Sequence, residues 1–267
     1  MDHPEWHATT QKQETLDELL NILLAIPSIL EMIDQVSCSV DVLGAAGTRQ
    51  RLNRRIDEVQ SQLLDWYWRV QNQEGRANLF VVESMIAPGL TLLEDEPELV
   101  GTFSGGIIFS NYYNFELIML YWFGCIMLYT SMTRAYKQLY PSVVERALKL
   151  AGLSASMTSE GFDVLGGIEL TADHFAMRAC QAIAFCERST IGYAGFQLML
   201  PSLWAAQQFF YGQSARKVRW CQMIHKGLQK KGLMFGNVIA TVTQQQYVDR
   251  VKELRHCTAR KSTYPSG

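Results

Sequence analysis

Residues 216–240 read RKVRWCQMIHKGLQKKGLMFGNVIA, and the fold is decided there. The Arg219-Trp220 pair heads an amphipathic helix over 214–231. Gly232 ends it, as glycine does when a helix closes in the left-handed conformation. A second helix restarts past Gly236 and runs from Phe235 to His256. Arg216, Lys217 and Arg219 form a local basic cluster, either with Arg219 stacked on Trp220 or simply as a solvated helix start.

Working outward, the same helical period recurs along most of the chain. Phe196 to Tyr211 reads as a helix broken near Pro201. Ile191 to Gly195 is a turn, and Glu169 to Arg188 another helix. Residues 154–167 are loop-like. A helix begins after Tyr140-Pro141, where proline suits a first turn, and Gly152 closes it. Ile107 to Lys137 is the longest and most buried helix. Its apolar run Leu117–Thr130, LIMLYWFGCIMLYT, falls short of the roughly 20 residues that span a bilayer. Residues 92–100, LLEDEPELV, read as an acidic exposed loop rather than a metal site. Pro88-Gly89 is a turn. Arg49 to Gln73 is a long amphipathic helix ending in Trp66, Tyr67 and Trp68, with Gly75 just beyond it; residues 40–47 precede it as a loop. Leu16, Leu19, Leu20, Leu23 and Leu24 mark a helix from Thr15 to Val36. Thr15 and Glu18 offer a capping box, and Pro27 should kink or split the helix. No strand stands out. The expected fold is all-α, a single-domain orthogonal helical array over residues 15–256, with a flexible N-terminus at 1–14 and a flexible tail at 257–267.

Composition narrows the function. The 267 residues are 48% hydrophobic and 19% charged, with a net charge of -2 and an isoelectric point near 6.2. A nucleic-acid binder carries a basic stripe, so no direct nucleic-acid contact is expected. Nor is a membrane span or a signal peptide expected, which points to an intracellular, cytoplasmic protein. Cys38, Cys125, Cys180, Cys186, Cys221 and Cys257 form no C-x-x-C pair, so they read as reduced buried thiols rather than zinc ligands. There is no nucleophile elbow, phosphate-binding glycine loop or histidine pair at metal-ligand spacing.

Several phrases together resemble the fungal-specific transcription factor domain. They are the leucine helix into Ile26-Pro27, Tyr121-Trp122, the ACQAIAF helix at 179–185, Gly195, Pro201, Ala205-Ala206, Arg219-Trp220-Cys221, Gly232 and Phe235-Gly236. In that family the helical body normally follows a zinc-cluster DNA reader, and the sequence here contains no such reader. The chain also resembles the humulene-synthase-like terpene cyclases, atypical class I enzymes of similar shape. That likeness implies farnesyl diphosphate as substrate, Mg²⁺ on the diphosphate and an essential lysine. The matching stretch, Leu198–Trp204 (LMLPSLW), carries no lysine.

Ionising an allylic diphosphate needs cations on the leaving group and an aromatic-lined dry cavity. Mg²⁺ takes hard oxygen ligands, often only one or two carboxylates. Asn111 and Asn114 share a helical face as candidate ligands, while Glu116 points about 140° away from Asn111; equally, Asn111 caps the long helix. Glu169 and Asp173, at i and i+4, could hold one Mg²⁺, with Arg178 facing diphosphate and His174 and Gln181 nearby; equally they form a solvated face of charge pairs. Arg188, beside Glu187, could grip phosphate bidentately or satisfy the last carbonyls of its helix. Tyr121, Trp122, Trp204 and Phe210 would line the substrate pocket, or simply form core.

Two functions from different classes follow. One is an Mg²⁺-dependent cyclase of an isoprenoid diphosphate, with a metal-free cyclase or isomerase as a variant on the same cavity. The other is the ligand-sensing or dimerisation region of a regulator, nuclear and homodimeric. A closed apolar cavity with a polar mouth favours the first; a solid core favours the second.

Overall fold

Apolar residues at helical spacing dictate most of the architecture, and 82% of the described residues are helical. The computed structural model describes residues 4–38, 42–72, 79–83, 90–139, 160–188 and 192–233, with side chains at 13–35, 47–72, 79–83, 90–136, 171–187 and 192–233. The main-chain order is α1 (Pro4–Leu23), α2 (Ile26–Cys38), α3 (Val42–Gln71), β1 (Phe80–Glu83), 3-10 turns at Thr91–Leu93 and Pro97–Thr102, β2 (Gly106–Phe109), α4 (Tyr112–Leu139), α5 (Glu160–Gln181), α6 (Ile183–Arg188), α7 (Gly192–Phe210) and α8 (Ala215–Lys230). The helices expected at 141–152 and 235–256, the Pro88-Gly89 turn, Gly75 and the tail lie outside the described residues.

Pro27 splits the first helix, one of the two outcomes expected of it. Leu24 and Ala25 turn the chain, their amides donating to the Leu20 and Ile22 carbonyls at 2.9 and 3.1 Å. Helix α2 then starts at Ile26-Pro27, where a missing N–H leaves nothing unpaired. Helix α1 begins at Pro4, so Thr15 is an interior, buried residue and not a cap. Its carbonyl accepts a 3.1 Å hydrogen bond from Trp66 Nε1, which ties α1 to α3. Helix α3 absorbs residues 42–47, expected as a loop.

The expectation of no strand is corrected by a short antiparallel pair. Phe80 faces Phe109 and Glu83 faces Gly106 across it. The β-branched residues Val81, Val82, Ile107 and Ile108 favour the pleated backbone. The long apolar helix therefore starts at Tyr112, not Ile107.

Helix α4 is the hub. It packs most extensively on α5 and α7, and also meets α1, α2, α3 and β2. Phe115, Leu117, Ile118 and Met119 are fully buried along it. Gly124 admits the end of α1: a Cβ there would stand 2.1 Å from Leu23 Cδ2. Among the described residues α4 is the one helix long and apolar enough to cross a membrane by length and composition, and 72% of its apolar window is buried inside the protein. Its hydrophobicity is that of a central core helix.

Helix α5 starts at Glu160, inside the stretch expected as a loop, and stops at Gln181; Ala182 separates it from α6. Helix α7 begins at Gly192, inside the expected turn, and runs through Pro201 unbroken. Beside that proline, Ser202 Oγ donates to the Met119 carbonyl at 2.9 Å and fastens α7 to α4. Helix α8 keeps the limits expected of it. The Ser214 side chain caps it by accepting from the Lys217 amide, and Gly232, at φ 96°, closes it. The Leu233 amide reaches back to the Leu228 carbonyl at 3.0 Å, as in a glycine-terminated helix end.

Candidate functional site

The chemistry-bearing side chains converge where α5, α7 and α8 meet. On α8, Lys217 and Cys221 are one turn apart and share a face. On α5, Asp173 and Cys180 share the facing stripe. Lys217 Nζ donates to Asp173 Oδ1 at 2.7 Å, both side chains being half-buried. The same ammonium lies 4.6 Å from the centre of the Phe210 ring, at the end of α7. Acid, base and aromatic face thus form one unit, in which the ring quadrupole and the carboxylate both stabilise the cation.

Deeper along the seam, Cys180 Sγ and Cys221 Sγ stand 4.0 Å apart, and both residues are fully buried. Burial pushes the Cys180 thiol well above its ordinary value; the neighbouring Cys221 acts in the same direction and the Lys217 ammonium opposes it. Cys180 also lines a cavity of about 20 Å³ with Phe103, Gln181, Ala184 and Trp220. That is room for about one water molecule. Gln181 Nε2 closes one side by donating to the Ser104 carbonyl.

Arg178 Nη1 donates to Gln181 Oε1 at 3.4 Å. Burial first, and then the Arg178 charge, lowers the neighbouring His174, against the opposing pull of Asp173. Asn111 Oδ1 accepts from the Asn114 amide at 2.8 Å, the geometry of an N-cap on α4. Asn114 Nδ2 in turn donates to Ser110 Oγ at 2.7 Å. Of the expected metal ligands, the two asparagines therefore bond to each other and to Ser110, while Asp173 bonds to Lys217. Glu169 lies on α5 and Arg188 at the end of α6, their side chains outside the described set. Among the described residues, no three His, Cys, Asp or Glu side chains gather closely enough to hold a metal ion.

The expected pocket aromatics are packed against one another. Tyr121 is 3% exposed, stacked on Trp66 and Tyr67 at 5.6 and 4.9 Å and edge-on to Phe175 at 5.8 Å. Burial pushes its phenol far up, with Cys125 beside it acting in the same sense. Trp122 meets Phe80 edge-on at 5.4 Å, and Phe210 meets Phe103 and Phe209 at 5.7 and 5.6 Å. Trp204 is partly buried against the same core.

The acidic run at 94–98, expected as an exposed loop, is laced to α8. Asp95 pairs with Lys230, and Glu96 with Arg219 at 2.7 Å. Arg216 donates to the Glu98 carbonyl at 2.9 Å and to Thr102 Oγ1 at 3.2 Å. Arg219 is thereby drawn to Glu96, and Trp220 packs edge-on to Phe103 at 4.7 Å instead. Glu187 fixes the adjoining turn. Its carboxylate accepts from the Thr91 amide and hydroxyl and the Leu92 amide at 3.1, 2.7 and 3.0 Å, with Lys231 at 3.6 Å. A surface cleft of about 350 Å³ remains between this turn and α8, edged by Lys226, Lys230 and Lys231.

The pairing of Lys217 with Asp173 and Phe210, the approach of Cys180 to Cys221 and the full role of Glu187 escaped the sequence reading. Helical spacing does put Lys217 with Cys221 on one face, but nothing in the sequence announces which helix that face meets.

Compared with protein-family models, curated proteins and solved structures, the chain matches none of them.

Proposed function

We propose that the chain is the non-catalytic helical body of a transcription regulator of the fungal zinc-cluster type, a folded scaffold that transmits or receives a signal. The observation that supports this reading is the state of the aromatic interior. Tyr121, Trp122 and Phe210, which a cyclase would hold around an empty cavity, are 3%, 2% and 0% exposed and are filled in by Trp66, Tyr67, Phe80, Phe103 and Phe175. A packed interior stabilises a fold, whereas a carbocation cyclase needs an unfilled hollow of several hundred cubic ångströms. The resemblance to the regulator family supplies the direction of the reading.

A second reading, the isoprenoid-diphosphate cyclase, is favoured by Lys217. It is a half-buried lysine between a carboxylate and an aromatic face, which fits the demand for a lysine that the 198–204 stretch leaves open. In that reading Lys217 and Arg178 would grip the leaving diphosphate, and Asp173 and Glu169 would hold Mg²⁺.

One pair of measurements separates the two. Fused to a heterologous DNA-binding domain, the chain is expected to change reporter transcription several-fold. With farnesyl diphosphate and Mg²⁺ the purified chain is expected to release neither diphosphate nor hydrocarbon. Turnover that disappears in Lys217→Met while the variant stays folded would overturn the scaffold reading in favour of the cyclase. Under the scaffold reading the same variant loses only the Asp173 pair, about 1 kcal/mol of stability for a half-buried ion pair.

A further inference from the structure

We infer that Cys180 and Cys221 form a two-coordinate site for a soft monovalent cation of the Cu(I) class. The inference stands apart from either functional reading, since it rests only on the seam between α5 and α8.

The geometry points to a metal and not to a disulfide. Two sulfurs in a disulfide are about 2.05 Å apart. The observed 4.0 Å would have to close by about half within a packed core. A metal bridging two thiolates needs far less movement. With metal–sulfur bonds near the ~2.3 Å of zinc thiolates, a linear pair spans about 4.6 Å. The two side chains need open by only a few tenths of an ångström, or the bridge bends slightly.

Ligand type and number select the ion. Thiolates are soft and favour Cu(I) over hard cations. Zinc completes a tetrahedron, and the described residues offer no third Cys, His, Asp or Glu to help fill one. A monovalent d¹⁰ ion is satisfied by two ligands. Both sulfurs are fully buried, so water is a poor competitor and Cu(I) is shielded from oxidation. Cys180, though not Cys221, also lines the small cavity beside the seam.

The step balances without an oxidant: M⁺ plus two thiols gives a bis-thiolate complex of charge −1 and two protons released to solvent. Lys217, one turn from Cys221 and already held near the pair, offsets that negative charge.

The test is anaerobic competition for Cu(I) between the full chain and a chromophoric Cu(I) chelator, in excess reductant. Wild type is expected to retain one Cu(I) per chain. Cys180→Ser and Cys221→Ser are each expected to weaken retention by at least about 100-fold, the upper end of what losing even an outer-shell partner costs. Cys125→Ala and Cys186→Ala are expected to retain it. Equal retention in the Cys180 and Cys221 variants would mean adventitious thiol binding and overturn the site. Should either serine variant fail to fold, X-ray absorption at the copper edge of the loaded wild-type chain decides instead. Two sulfur neighbours alone support the site; a third sulfur, or nitrogen or oxygen ligands, overturns it.

Discussion

His225 is 1% exposed, and neither ring nitrogen has a hydrogen-bond partner among the described residues. Burial without a partner lowers its ionisation from the ordinary 6.5 to about 4. The unfolded chain therefore binds a proton over that interval which the folded chain refuses. Its contribution to stability is intact above pH 6.5 and is lost as pH falls towards 4, by about 3 kcal/mol in all. His225→Leu is expected to flatten this part of the urea-midpoint-versus-pH curve. At pH 7 it should also raise stability by about 1 kcal/mol, because two unpaired buried nitrogens disappear. An unchanged acid slope would show that the imidazole is not the group responsible. Gly227 is the opposite case, a residue defined by what it lacks. A Cβ there would lie 2.8 Å from the Leu92 carbonyl oxygen, a backbone atom with nowhere to go. Gly227→Ala is expected to lower the denaturation midpoint despite alanine's better helix propensity, by about 1–3 kcal/mol in net stability. A gain would mean that the turn shifts freely. Glycine-rich helix ends were legible in advance: Gly232 stops α8 where its position after the last periodic residue said it would. The need for glycine at 227 was not, since it arises from a neighbour 135 positions earlier in the chain.

Among the described elements, the 91–105 segment draws much of its shape from bonds to other elements. Two 3-10 turns provide few hydrogen bonds of their own, so Glu187 supplies an outside acceptor for two amides and a hydroxyl. Its side chain is only 10% exposed, although the two bonds to Thr91 lie at the exposed edge of the turn. Glu187→Ala is expected to cost about 2 kcal/mol, in the range for hydrogen bonds to a charged group, and to speed amide exchange at Thr91 and Leu92. Unaltered exchange there would refute the brace. Arg219 and Lys230, both mostly exposed, hold the same segment by pairs that contribute far less. The sequence announced the helices well and the short elements poorly, for one physical reason. A helix of many residues repeats its period several times, as at 214–231. A four-residue strand repeats a two-residue period only twice, and Ile107-Ile108-Phe109 merges with the apolar run of α4. Prolines were equally ambiguous: Pro27 stands in the first turn of a helix just past the end of another, while Pro201 sits within one, where the Ser202 bond to Met119 and surrounding packing override the missing N–H. In the candidate site, the Asn111 cap could be read locally, at three residues' separation. The Asp173–Lys217 pair spans 44 residues and required the fold.

At the scale of the whole molecule, α4 touches α1, α2, α3, α5 and α7, so no large group of helices can separate without exposing it. Helix content followed by circular dichroism and aromatic burial followed by tryptophan fluorescence are therefore expected to be lost in one coincident transition in urea. Two separated transitions would show that the hub does not couple its neighbours. The close packing of the described aromatics on one another also explains why they were legible as a group and not by role: a lining and a filling use the same residue types, and only packing distinguishes them. The turn at 91–93 has a consequence for how the chain is made. Leu92 and Leu93 are covered in the finished protein, but Glu187 and the α8 lysines that anchor their turn follow it by 96 to 140 positions. On the ribosome these leucines emerge long before their partners do. The nascent chain must carry an uncovered greasy corner for several seconds at ordinary elongation speeds, which makes it a substrate for chaperones during synthesis and makes late truncations prone to aggregate.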